Sequence, residues 1–255
     1  MEADDDIETL PYPLAPRRPA RRLTQHAHIQ PATIFHPQDP SLSPEVHFPL
    51  QTVSGPDRAP FPRFINRFDS REMLLVVDGS CVNNGRHANR LADPSAGWAF
   101  LFKGAGPPGI ASSSSSSLSH PSHRQWQSQN TPPDADHPPG RIALPLERHG
   151  PSGELAEHTS NRAKLRAVIG ALQFRDWGGE GWRRVVVLTD LEYVVWGATR
   201  WLPRWVARRW RKPPGRGGVG RARVYGNRDL WEALQGRVEE LREGGCEVAF
   251  WLVSG

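Results

Sequence analysis

The chain has 255 residues, of which only 37% are hydrophobic, against 25 Pro and 24 Gly. That is too little apolar material for the whole length to be core, so one compact domain of roughly 150 residues with unstructured segments is expected. The net charge of +5 favours a polyanionic partner, and no apolar run approaches the ~18 residues of a membrane-spanning helix.

Residues 1–68 are rich in Pro, His and Arg and carry no sustained period, so they read as a disordered tail. The acidic start Met1-Glu2-Ala3-Asp4-Asp5-Asp6 argues against a signal or transit peptide. Arg17-Arg18-Pro19-Ala20-Arg21-Arg22 fits a nuclear import signal, although short basic clusters are common in tails. Cys81 and Cys246 form neither a disulfide framework nor a zinc spacing, which suits a reducing compartment. An intracellular protein of the nucleus or cytoplasm is expected.

Order is expected from residue 69 to residue 255. Residues 72–78 read as a strand, Asn83-Asn84-Gly85 as a turn, and 96–102 as a second strand antiparallel to the first. Residues 104–140 lose all pattern, with a serine run from Ser112 to Ser117, and read as a flexible low-complexity insertion. A third strand is expected over 141–147. Leu165, Val168, Ile169 and Leu172 fall at i, i+3, i+4 and i+7, which predicts an amphipathic helix over 161–175, capped by Thr159 or Ser160. A strand at 184–189, a short helix from 191 toward 198, a helix over 227–242 and a last strand at 246–253 complete the order. Three strands, helix, strand, helices, strand make an α/β domain with a five-stranded mixed sheet flanked by helices.

Two of these strands end in a carboxylate. Met73-Leu74-Leu75-Val76-Val77 runs into Asp78, and Val185-Val186-Val187-Leu188-Thr189 runs into Asp190. Carboxylates at the ends of buried strands need a cationic partner, and two on neighbouring strands can hold a divalent metal near a phosphate. Each also has a plainer reading: Asp78-Gly79 as a turn dipeptide, and Asp190 as a helix cap.

With this element order, five stretches resemble the type 1 ribonuclease H family: Val77-Asp78-Gly79-Ser80-Cys81, Ala96-Gly97-Trp98-Ala99, Thr159 to Val168, Thr189-Asp190-Leu191-Glu192-Tyr193-Val194-Val195, and Asn227-Arg228-Asp229-Leu230-Trp231. The resemblance implies the ribonuclease H-like fold and hydrolysis of the RNA strand of RNA–DNA hybrids. In that family four carboxylates hold two divalent ions, Mg²⁺ or Mn²⁺. It places Asp78 and Asp190 as catalytic and metal-binding residues. The family's helix glutamate falls on Lys164, a degenerate catalytic position. Its fourth carboxylate and an assisting histidine would lie beyond Val253, so the chain is expected to be C-terminally truncated and to lack the family's last helix. With two of four metal ligands missing, catalysis is expected to be absent or greatly weakened. An ammonium ~4 Å from a divalent ion at an effective dielectric of ~20 is repelled by roughly 8 kcal/mol before relaxation, so at most one weakly held ion is expected. Glu154, Glu157 and Glu192 are the candidate substitutes. The alternative is a non-catalytic hybrid- or duplex-binding module.

Between residues 200 and 223 there are nine Lys or Arg and no acid, with Trp201, Trp205 and Trp210 interleaved. This resembles the basic protrusion with which many cellular members of the family grip the DNA strand. Cations neutralise phosphates and indoles stack on bases or sugars. Arg204, Arg208, Arg209, Lys212 and the three tryptophans are therefore candidate contacts, with packing as the competing role for Trp201 and Trp205. By resemblance, Thr159, Ser160, Asn161 and Arg162 face the DNA phosphate and minor groove. Ser80, Cys81, Asn83 and Asn84 approach the RNA strand, where recognition of a 2′-OH needs close donors and acceptors. The partner is an RNA–DNA hybrid, the protein is expected to be a monomer, and no membrane is involved.

Overall fold

The computed structural model describes residues 23–24, 28–55, 58–83, 94–103, 140–151, 153–213 and 224–253. Much of the segment expected to be a patternless tail has regular structure. It supplies β1 (Thr33–Ile34), α1 (Pro44–His47), β2 (Leu50–Gly55) and β3 (Arg58–Asn66). The tail reading is corrected over residues 28–66. Their few apolar side chains show no sustained period because they are divided between the two sheet faces: Ala32 and Ile65 join one core and Phe35 and Phe48 the other. The first 22 residues, with the basic cluster at 17–22, lie outside the described residues. So do 104–139 of the serine-rich insertion and 214–223 of the basic segment.

The expected five strands follow as β4 (Asp69–Val82), β5 (Ser95–Leu101), β6 (Arg141–Pro145), β7 (Arg184–Thr189) and β8 (Glu247–Leu252). With them come α2 (Ser160–Gln173), α3 (Glu192–Trp196), a π-helical turn (Gly197–Trp201), α4 (Leu202–Ala207) and α5 (Arg228–Glu243). The helical stretch after β7 thus runs to Ala207, beyond the expected end near residue 198. Pro203 lies at the start of α4 directly after the π-helical turn and, having no N–H, donates no bond back into that turn.

One mixed sheet of eight strands runs β1-β8-β7-β4-β3-β2, with β5 and β6 added along β4. β4 organises it. One edge pairs in parallel with β7, from Glu72↔Arg184 to Val76↔Leu188. The other edge pairs antiparallel with β3 near its start and with β5 from Val76 to Val82. This double use explains why β4 is longer than its apolar run. β7 and β8 are parallel neighbours, and β7 is buried along nearly its whole length, as a Val-rich central strand must be.

The main core lies between one sheet face and the helices α2 and α5. Leu165, Val168, Ile169 and Leu172 are buried there, as their spacing requires, with Trp177, Trp231 and Phe250. A second core covers the opposite face. Leu74, Val186, Leu188, Ala249 and Trp251 pack there under Phe35 and Phe48. The Phe35 and Trp251 rings lie 5.2 Å apart. A hydrogen bond from Phe35 N to Phe250 O (2.8 Å) ties this segment to β8.

Candidate functional site

The parallel register of β4 and β7 ends at Val76↔Leu188. Asp78 and Asp190 each stand two residues beyond that pair, so they emerge level with one another at the same end of the sheet. Both carboxylates meet the Lys164 ammonium from α2: Nζ lies 3.1 Å from Asp78 Oδ1 and donates to Asp190 Oδ1. Asp78 Oδ1 also accepts from Gly79 N at 2.7 Å. The carboxylates are open to solvent, with side chains 73% and 46% exposed, whereas Lys164 is only 15% exposed. Burial opposes its charge, but the hydrogen bonds to Asp190 and Asp78 outweigh that and hold its pKa above the ordinary lysine value.

Gly79 sets how closely α2 approaches β4. A Cβ there would lie 2.6 Å from Ala163 C and from Lys164 N, well inside van der Waals contact. The Thr159 hydroxyl accepts from Arg162 N and starts the helix at this level, satisfying one of its orphan donors.

The donor set does not fit a divalent ion. Among the described residues no three of His, Cys, Asp or Glu come together as a metal-holding group, and the two carboxylates that converge are already bonded to a cation of the chain's own. Glu154, Glu157 and Glu192 are exposed and join no such group.

The other expected site residues divide by burial. Ser80 and Asn161 are exposed, and Cys81, Asn83, Thr159 and Ser160 are half-buried. Asn83 has a left-handed φ of 56°, which asparagine tolerates; Asn84 lies outside the described residues. Burial pushes the Cys81 thiol pKa up. Arg162, expected near DNA, is instead buried, donating to both oxygens of Asp229 at 3.0 and 2.6 Å. Desolvated, its guanidinium is held in place by the partner that satisfies it, and it ties α2 to α5. Trp205 and Trp210 are also buried, against Tyr225, Trp231 and each other. Trp205 lies on the inner side of α4, Trp210 is turned inward after the helix at a left-handed φ of 61°, and neither reaches the surface as a stacking platform.

Trp201 remains exposed, beside Arg200, Arg204, Arg208, Arg209 and Arg211. The Arg200 guanidinium stacks 4.2 Å from the Trp196 ring centroid, and the Lys212 ammonium lies 5.6 Å from that of Tyr225. The π-helical turn is accommodated by Gly197, where a Cβ would lie 2.1 Å from the Trp231 ring. No acidic side chain occurs between residues 193 and 228.

Sequence reasoning placed Asp78, Asp190 and Lys164 but missed the constraint at Gly79, hidden in an ordinary Asp-Gly pair. It also missed the Arg162–Asp229 tie, whose only signal was an Arg and an Asp on two amphipathic helices.

A family model for RNase H matches residues 135–240. Curated relatives include a ribonuclease H of Cyanothece sp., 36% identical over 86 residues, covering 34% of this chain and 49% of the relative. Another, from Xanthomonas oryzae pv. oryzae, is 35% identical over 108 residues, covering 41% of this chain and 65% of the relative. The chain spans about half the length of the first curated relatives it matches. Among solved structures, LC9-RNase H1, a type 1 RNase H with the type 2 active-site motif, aligns with 71% of this chain and 63% of its own. That alignment has 27% identity and a TM-score of 0.38. The PFV RNase H domain aligns with 71% of this chain and 78% of its own, at 16% identity and a TM-score of 0.38.

Proposed function

We propose that the chain is a ribonuclease H family member that binds RNA–DNA hybrids while its hydrolytic centre, as it stands, is silent or nearly so. One observation carries this reading: the Lys164 ammonium bonded to both Asp78 and Asp190. Hydrolysis of the family type needs two divalent ions between carboxylates, one to activate water and one to stabilise the leaving oxygen. A cation seated between these two converging carboxylates opposes both ions, by roughly 8 kcal/mol at ~4 Å and an effective dielectric of ~20 for each such contact.

Binding does not need that centre. The exposed arginines of the segment 200–211 neutralise phosphates of one strand. Trp201 offers an indole face to a sugar or base. Ser80 and Asn83, farther along the chain past Asp78, supply short polar groups for a ribose 2′-OH. Asn161 and the first turn of α2 approach the backbone between them. The protein works as a monomer on nucleic acid inside the cell, in nucleus or cytoplasm.

The test uses a labelled RNA–DNA hybrid with the full chain in Mg²⁺ and in Mn²⁺. A shifted complex without shorter RNA fragments is expected, competed by hybrid more strongly than by duplex DNA. Cleavage that disappears in Asp78→Asn would restore the hydrolase reading; failure to shift hybrid at low salt would remove the binder reading.

A further inference from the structure

The carboxylate centre contains a contact that a merely inactivated nuclease would not need. Losing the helix glutamate to a neutral residue would leave Asp78 and Asp190 facing each other, two like charges at neighbouring strand ends. Here the replacement is a lysine whose ammonium reaches both, 3.1 Å from Asp78 and hydrogen-bonded to Asp190.

We propose that Lys164 is the resident cation of this centre: its ammonium takes the place of a divalent ion and makes the Asp78–Lys164–Asp190 cluster a metal-independent tie joining β4, α2 and β7. The geometry supports this in three ways. The ammonium is held where the two strand ends converge, mostly out of solvent, while the carboxylates remain exposed. The helix cannot drift, because its backbone at Ala163 and Lys164 sits directly on Gly79 and Thr159 fixes its start. The first turn of α2 contains no acid, so no residue there draws the ammonium away from the strand ends. A single charge bonded to two carboxylates removes the repulsion between them and asks nothing of the solution.

This inference deepens the reading of a silent centre but does not depend on hybrid binding. It predicts that the protein ignores divalent ions and that one charge reversal makes it respond. The full chain is titrated with MnCl₂, free Mn²⁺ is followed by electron paramagnetic resonance, and the melting temperature is recorded in EDTA and in millimolar Mn²⁺. The wild-type chain is expected to leave both readouts unchanged. Lys164→Glu is expected to melt lower in EDTA, to recover on adding Mn²⁺, and to bind the ion at least about tenfold more tightly than wild type. Adding Asp78→Asn to Lys164→Glu should abolish the recovery. Should Lys164→Glu fail to fold, Lys164→Gln serves, with a smaller gain in Mn²⁺ affinity expected and a lower melting temperature than wild type in EDTA. Wild-type protein that binds Mn²⁺ as tightly as these variants overturns the inference and leaves hybrid binding standing. Variants no less stable than wild type in EDTA overturn the tie. Loss of the hybrid complex with unchanged Mn²⁺ readouts overturns the proposed function alone.

Discussion

Replacing a helix carboxylate by an ammonium changes the charge of a strand-end cluster by two, and the neighbours of Lys164 make that change consequential. Its four-carbon stem is long enough to swing into water, yet the side chain stays in and bonds to both aspartates. Arg162, two residues before it, shows the same economy: a cation that would look available from the sequence is used inside, on Asp229. A third buried group gives a pH signature. Burial raises the Cys246 thiol from 9.0 to about 11. Between those values the unfolded thiol loses its proton while the folded one keeps it, so the unfolded state binds fewer protons and stability falls as pH rises. Below pH 9 the two states are equally protonated at this site and nothing is lost. The full effect is about 2–3 kcal/mol by pH 11. Denaturant melts of wild type and Cys246→Ala at pH 8, 9.5 and 11 check this: the decline attributable to the thiol should vanish in the variant, whatever the fixed cost of the missing sulfur.

The relation between α2 and β4 depends on the absence of a single methyl group. At Gly79 the atoms a Cβ would strike are backbone, Ala163 C and Lys164 N at 2.6 Å, so no side chain can rotate to make room. Gly79→Ala is expected to push α2 outward and to cost about 1–3 kcal/mol, the usual penalty of overpacking. A crystal structure of the variant should show Lys164 Nζ farther from Asp78; an unchanged distance with unchanged stability would refute the account. Elements of this kind were legible in unequal measure. α2 and β7 announce themselves through period and composition, because each buries a continuous stripe or both faces. The carboxylate after β7 followed from its place at the strand end, whereas Lys164 followed only from the family resemblance. The helical run to Ala207 was not legible, since Trp201, Pro203 and the arginines blur a 3.6-residue period and the π-helical turn shifts the face that points inward. Trp210 therefore looked like a surface residue, and Trp205 could be read either way.

At the scale of the molecule the least legible feature is the aromatic cover that Phe35 and Phe48 lay across the second sheet face. Phe35 and Phe48 are separated by thirteen residues, so no window of sequence shows them as a pair, although both pack on Trp251. Phe48 is 1% exposed, and Phe48→Ala is expected to cost about 3–5 kcal/mol and to raise binding of an apolar dye as Trp251 and Leu188 are uncovered. A segment that merely lay on the surface would show neither. The opposite requirement holds for the basic surface, whose cations must stay solvated until a polyanion displaces their counterions. That makes its contribution additive in a measurable way. Each phosphate contact contributes about 0.9 to the slope of log affinity against log salt on duplex, so Arg204→Ala and Arg208→Ala should each flatten the slope for RNA–DNA hybrid by about 1. Trp201→Ala, which removes stacking but no charge, should weaken binding by about 1–3 kcal/mol and leave the slope unchanged. Fluorescence anisotropy across a salt series separates the two effects. A slope insensitive to both arginines would mean that the hybrid, if bound, lies elsewhere on the molecule.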